Sequence, residues 1–297
     1  MRLEGLHHIT AITGDAPRNV DFYAGTLGLR MVAKTVNQDD PNVYHLFYAD
    51  EDGSPGSDIT FFEYPGAAPG RAGLGMVHRV VWRVGADAAL DFWAARMGVE
   101  RSAEEVVFAD PEGLEHELRV STAPDAPLSA RHSEIPPEHA LLGFDGVRAR
   151  SLRPDASATL LEQVLGAERK GDDTWEIRGD RRGSTITFEQ GGERGLQGAG
   201  TIHHIAWNST NEDHPRWLEK IEGAGVRTSG MVDRHYFHSI YFREPGGILY
   251  EIADHGPGFT RDLPLEELGT KVILPPWLEP HRAEIEANLT PLPVPSR

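Results

Sequence analysis

One unit recurs four times along the chain: a short apolar strand, a polar turn, an amphipathic helix ending at glycine, then two or three more strands. The first copy reads "LHHITAI", then "DAPRNVDFYAGTLGL" with Asp15 placed to cap the helix and Gly28 to end it, then "VYHLFYAD" and "DITFFEY". The second is "MVHRVVWRV", "ADAALDFWAARMG", "EVVFADPEG" and "LEHELRV"; the third "LLGFDGVRARSL", "DASATLLEQVLG", "TWEIRG" and "STITFEQ". The fourth is "TIHHIAWNS", "HPRWLEKIEGAG", "HYFHSIYFREPGG" and "ILYEIAD". Even spacing of such units predicts an α+β array of four tandem βαβββ modules, and excludes one doubly wound sheet. The proline-rich stretch "STAPDAPLSARHSEIPPEH" reads as a linker. The expected organisation is modules 1 and 2 over residues 1–122, a linker at 123–140, modules 3 and 4 over 141–256, and a tail at 257–297 carrying a helix.

Composition narrows the chemistry. The chain has 297 residues and no cysteine, so disulfides, thiolate metal sites and a cysteine nucleophile are excluded. Any metal must be held by His, Asp or Glu. Lys and Arg number 29 against 46 Asp and Glu, a formal charge of −17 that repels phosphate backbones and anionic membranes. The opening "MRLEGLHH" has no apolar leader-like run, and no stretch reaches the length of a membrane span. The expectation is a soluble cytoplasmic protein with neither nucleic acid nor membrane as partner.

The paired "HHIT" and "HHIA", the "DFYAGTLGL" helix and the "REPGGILYEIA" strand pair resemble the vicinal oxygen chelate superfamily, which includes glyoxalases, bleomycin resistance proteins and extradiol dioxygenases. More narrowly the chain is similar to ring-cleaving dioxygenases of hydroquinones and chlorohydroquinones, and the likeness includes the "GPGFT" tail.

Aligning the copies on their own landmarks locates the ligand slots. The first-strand slot reads His8, Arg79, Phe144 and His204 in copies one to four. The later slot, six residues after a turn proline, reads Phe61 after Pro55, Glu117 after Pro111 and Glu251 after Pro245. Arg79 beside Glu117 implies a private ion pair in copy two, and copy three has no ligand in its first-strand slot, so both look metal-free. His8, His204 and Glu251 remain, with Phe61 blocking a fourth corner unless a bulge brings in Glu63. Two imidazoles and one carboxylate with open positions opposite suit non-haem Fe(II), because substrate and O₂ must both reach the metal; Mn(II) accepts the same donors. Strand alternation admits His7 or His8, and His203 or His204, but not both of a pair inward; the resemblance selects the second of each. Ligands from copies one and four can share an ion only if those copies face each other. The expected fold is therefore two U-shaped, barrel-like mixed sheets: modules 1 and 4 around the metal, modules 2 and 3 empty.

Other readings compete with these. A lone strand histidine is more often packed or hydrogen-bonded core, and His45 and His78 are assigned there. Glu251 sits within "ILYEIA", and an unpaired buried carboxylate is costly unless a cation compensates it. The resemblance implies that Tyr241, Arg234, His203 and His7 lie near the metal as donors, charge partners or proton carriers, and that Thr10 belongs to the pocket. Tyr241 as a plain strand aromatic, and Arg234 paired with Asp233 or Glu244, are the structural alternatives. Phe61, Phe237 and Trp207 are candidates to wall a flat ring, or equally to be core. The expected activity is Fe(II)-dependent, extradiol-type cleavage of a hydroquinone-like diol with insertion of both atoms of O₂, in a chain whose fold is compatible with a homodimer. A glyoxalase-like isomerase, lyase or thiol transferase, with Glu63 as fourth ligand, and a non-catalytic small-molecule binder are the alternatives.

Overall fold

Alternation of apolar and polar residues in segments such as "VYHLFYAD" favours strands with one buried face, and strands dominate the computed structural model, which describes residues 1–293. Module 1 comprises β1 (Leu6–Thr13), α1 (Ala16–Val20, continued in wider π-helical turns to Thr26), β2 (Arg30–Asn37), β3 (Asp40–Ala49) and β4 (Asp58–Glu63). Module 2 is β5 (Met76–Val84), α2 (Asp87–Met97), β6 (Glu105–Ala109) and β7 (Glu115–Val120), one strand fewer than the expected unit. Module 3 is β8 (Phe144–Arg150), α3 (Pro154–Thr159, again continued by π-helical turns), β9 (Glu168–Arg169), β10 (Thr174–Arg178) and β11 (Gly183–Phe188). Module 4 is β12 (Thr201–Asn208), α4 (His214–Gly223), β13 (Thr228–Asp233), β14 (His238–Arg243) and β15 (Leu249–Ala253), and the tail carries α5 (Arg282–Asn288). The Asp15 side chain accepts from Arg18 N, capping α1 as its position foretells.

The strands form two mixed sheets, ordered β13-β14-β15-β12-β1-β4-β3-β2 and β6-β7-β5-β8-β11-β10-β9. Modules 1 and 4 therefore share one sheet, and modules 2 and 3 the other, as expected. Antiparallel seams join the modules at β1–β12 and β5–β8.

Residues 123–140 are anchored to this frame. The buried side chain of Asp125 accepts from Arg83 Nη1 and Arg178 Nη1, both at 2.6 Å, and the Trp93 indole donates to His139 O at 2.7 Å. The module 1 helix lies against the other sheet, where the Tyr23 hydroxyl donates to Asp110 (2.9 Å) and sits 3.0 Å from His116 Nε2, while Trp82 Nε1 donates to His116 Nδ1. With Nδ1 accepting, neutral His116 is left with Nε2–H to donate to Tyr23. Burial drives the His116 pKa down to about 3. The unfolded chain takes up a proton there below about 6.5 and the folded one does not, so stability is lost as pH falls from about 6.5 toward about 3. His116→Gln is expected to melt lower than the parent at pH 7 yet lose about 1 kcal/mol less per pH unit from 6 to 4. Parallel Tm-versus-pH curves would refute this assignment.

Candidate metal centre

The two seams carry matching irregularities. Between β1 and β12, Leu6 pairs with Trp207 and His8 with Ala206, so His7 is an extra residue; Thr10 pairs with His204 and Ala11 with Ile202, so His203 is another. A bulge releases its residue from strict alternation. Both histidines of each pair consequently lie on the concave side, where strand alternation alone admits one. His7 Nδ1 lies 3.0 Å from His8 Nδ1, and His203 Nδ1 lies 2.8 Å from His204 Nδ1.

The opposite ring nitrogens converge. His8 Nε2 and His204 Nε2 lie 3.2 and 3.0 Å from Glu251 Oε2 and 3.4 Å from each other, in full burial. Although these contacts are short, neither Glu251 oxygen accepts an aligned hydrogen bond. With the Nδ1 protons directed at His7 and His203, both Nε2 atoms present lone pairs to a carboxylate. Three electron-rich atoms crowded in a dry site are mutually repulsive until a cation joins them, so the donor set fits a divalent metal. The electrostatics also ask for positive charge here: burial opposes charge on His8 but the Glu251 carboxylate lifts its pKa overall, and against burial the two imidazoles hold Glu251 well below 4.5, so without a metal a proton on His8 takes the cation's place. His204 is lowered, chiefly by burial.

Register corrects the fourth corner. Glu251 pairs with Ala206, two residues beyond His204, and Glu117 pairs with Val81, two beyond Arg79. The same rule in module 1 starts at His8 and reaches Thr10, whose partner is Thr60. Phe61 is one residue off this slot and faces the other way, fully buried 4.4 Å from the Tyr23 ring. Glu63 shares that direction, accepting from Ala16 N at 3.2 Å, and is not part of the cluster. In module 3 the slot is Gly146 and not Phe144, because Arg148 sits opposite Arg79 as Ala206 does opposite His8. Gly146 has no room for more: a Cβ there would meet Thr185 O at 2.2 Å. The concave side of the second sheet holds Glu117 between Arg79, which stands at the position of His8, and Arg148, which stands at that of Ala206.

A cavity of about 320 Å³ opens beside the triad. Its wall includes His8, His203, His204, Arg234, Phe237 and Tyr241. The Tyr241 ring lies 5.7 Å from His204, and its hydroxyl accepts from Arg234 Nε at 3.2 Å. Arg234 pairs with Asp39 at 3.0 Å, not with Asp233 or Glu244. Phe237 lies 5.0 Å from both His7 and His8. Thr10 lies behind the wall, with its hydroxyl 2.8 Å from that of Thr60. Trp207 is core, packed edge-on to Tyr250. Sequence reasoning missed Phe62 and His45, both on the wall; β3 and β4 show apolar alternation on either side, which does not mark the concave one.

The tail shapes this cavity. His235 adopts φ 72°, an uncommon conformation for a residue with a side chain. It is held there by its Nε2 contact to Asp262 (2.6 Å) and by Arg261 Nη1 donating to its carbonyl (2.7 Å).

Two curled mixed sheets built from repeated modules, with a His-His-Glu cluster where the end modules meet, describe a metal-site fold of the glyoxalase type. The chain belongs to the Glyoxalase/Bleomycin resistance protein/Dioxygenase superfamily, whose family model matches residues 5–98 and 75–252. MhqO of Bacillus subtilis, provisionally named a ring-cleaving dioxygenase, is 41% identical over 98% of this chain and 97% of its own length. The chlorohydroquinone/hydroquinone 1,2-dioxygenase of Sphingobium indicum is 30% identical over 96% of this chain and 95% of its own length. A crystal structure from Bacillus subtilis, provisionally described as a dioxygenase, superposes with a TM-score of 0.92 at 40% identity, covering 100% of this chain and 99% of that one. Among the described residues no helix is long and apolar enough to cross a membrane.

Proposed function

We propose that the chain is an Fe(II)-dependent dioxygenase that cleaves the ring of a hydroquinone-like diol, incorporating both atoms of O₂. The observation that carries this reading is the three-donor cluster of His8, His204 and Glu251 with threonine at the fourth corner. A neutral threonine already engaged with Thr10 leaves coordination sites for exchangeable ligands, which an oxygenase needs for both substrate and O₂. The names carried by MhqO and the Sphingobium enzyme support the same reaction class.

His8, His204 and Glu251 would hold the ion, which when bound supplies the electron transfer between ring and O₂. His7 and His203 accept from the Nδ1–H groups, fixing the ligand tautomers and orienting the rings. Because Arg234 Nε donates to the Tyr241 oxygen, the tyrosine proton remains available to a substrate oxygen; burial raises the Tyr241 pKa and keeps that proton in place. Arg234 balances negative charge at the same end of the cavity. His203, pushed down to about 3 by burial and then by His204 and Arg243, stays neutral; with Nδ1 accepting from His204, its proton sits on Nε2 as a hydrogen-bond donor. Phe237, Phe62 and Phe47 give the ring apolar walls and exclude water.

The test is O₂ uptake by anaerobically metal-loaded protein on addition of hydroquinone, with catechol as control and Mn(II) and Zn(II) loading in parallel. Uptake with hydroquinone and Fe(II), and none with redox-inert Zn(II), is the expected result. Absence of uptake with either diol in protein carrying one Fe(II) per chain would exclude this function.

A further inference from the structure

His45 is the polar wall residue whose bonding the metal cluster does not explain. Its ring is wedged between Phe47 (4.0 Å) and Phe62 (4.4 Å), and its Nε2 lies 2.9 Å from Thr60 Oγ1. Thr60 Oγ1 lies 2.8 Å from Thr10 Oγ1, and both threonines are fully buried. The residue in the fourth ligand corner thus joins the metal-bearing strand to a histidine on the cavity wall. Burial, reinforced by His8, His204 and Arg234, lowers the His45 pKa well below its usual value, so the ring is neutral.

Most other polar groups on the wall are already engaged. Arg234 is committed to Tyr241 and Asp39, Gln38 to the Arg234 carbonyl, His235 to Asp262, and His203 through Nδ1 to His204. His45 Nδ1 has no hydrogen-bond partner among the described residues. A diol bound to the ion by one hydroxyl brings a second hydroxyl into a largely apolar cavity, where an unpartnered polar group is costly.

Resting on the dioxygenase reading above, we propose that His45, oriented by Thr60, binds the hydroxyl of the diol remote from the metal and so makes the enzyme selective for diols over monophenols. The Thr60 hydroxyl can rotate to donate to His45 Nε2 or accept from it. Each arrangement selects one His45 tautomer, so Nδ1 can meet a hydroxyl proton or a ring oxygen that has lost one.

A cycle of ligands and variants tests this contact. Dissociation constants for hydroquinone and phenol are measured anaerobically on Fe(II)-loaded wild type, His45→Phe and Thr60→Val, with metal content recorded for each. The phenylalanine keeps the aromatic wedge and removes both nitrogens; the valine keeps shape and removes the hydroxyl that orients the ring. Wild type is expected to bind hydroquinone roughly tenfold more tightly than phenol, the worth of one good buried hydrogen bond. His45→Phe should lose that preference by weakening hydroquinone alone, Thr60→Val should lose roughly threefold of it, and metal content should stay at one per chain. A preference that survives His45→Phe, an equal loss for both ligands in both variants, or a wild type without preference would overturn the proposal. Should His45→Phe fail to fold, Thr60→Val decides, an unchanged preference counting against. Coupling without O₂ uptake removes the dioxygenase reading and leaves the His45 contact standing; uptake without coupling does the reverse.

Discussion

Glu251→Gln protein, loaded with Fe(II) and dialysed, is expected to retain less than about a tenth of the metal held by wild type, with hydroquinone-dependent O₂ uptake lowered by about 10³-fold or more. The amide matches the carboxylate in shape, so the effect isolates charge. Glu251 supplies the negative charge facing His8 and His204, and its oxygens have no other hydrogen-bond partner. Replacing groups that only orient metal ligands typically costs 10–100-fold in affinity, so loss of a donor should exceed that. Metal analysis and oxygen-electrode rates provide the check. Full metal retention would mean that Glu251 is not a ligand. Full retention with full activity would remove the triad altogether.

Glu117→Leu should have the opposite profile, lowering stability by about 3 kcal/mol and Tm by about 6 °C while leaving metal content and O₂ uptake unchanged. Glu117 occupies in module 2 the slot of Glu251 in module 4, but its partners are Arg79 (3.3 Å) and Arg148 (2.7 Å). The carboxylate is fully buried and the two guanidinium groups are mostly so. Removing it takes from both arginines the buried carboxylate they share, leaving Arg79 to Glu115 (2.9 Å) and Arg148 to Glu105 and Glu189 (3.7 Å each), which costs more than losing an exposed pair. Replacing Arg79, Glu117 and Arg148 together by leucine should recover most of the loss, since the carboxylates then left without these arginines, Glu105, Glu115 and Glu189, reach solvent. Thermal melts with parallel metal analysis test both parts. Metal loss in Glu117→Leu would show that the second sheet supports the first site.

The repeat was legible because each module must bury one strand face and one helix face, and that requirement writes a periodic pattern. The private ion pair of module 2 was legible too, although Arg148 joins it from module 3. Counting from turn prolines misled in module 1, because turn lengths differ between copies while strand register does not. It put Phe61 in the slot that pairing gives to Thr60, and it left Glu63 as a candidate ligand. His45 was assigned to core because a histidine in an apolar strand looks the same whether its face meets a packed layer or a cavity.

Sequence alone determined the four modules and the absence of thiol chemistry, since each depends on residue type and local periodicity; it left His7 or His8, and His203 or His204, open beside Glu251, a choice that came from the family resemblance. Tertiary structure decided which residue fills the fourth corner and how two adjacent histidines both turn inward. Those features depend on pairing between strands almost two hundred residues apart and on bulges at His7 and His203. A bulge is defined by a partner strand's register, so it has no signature in the segment that carries it.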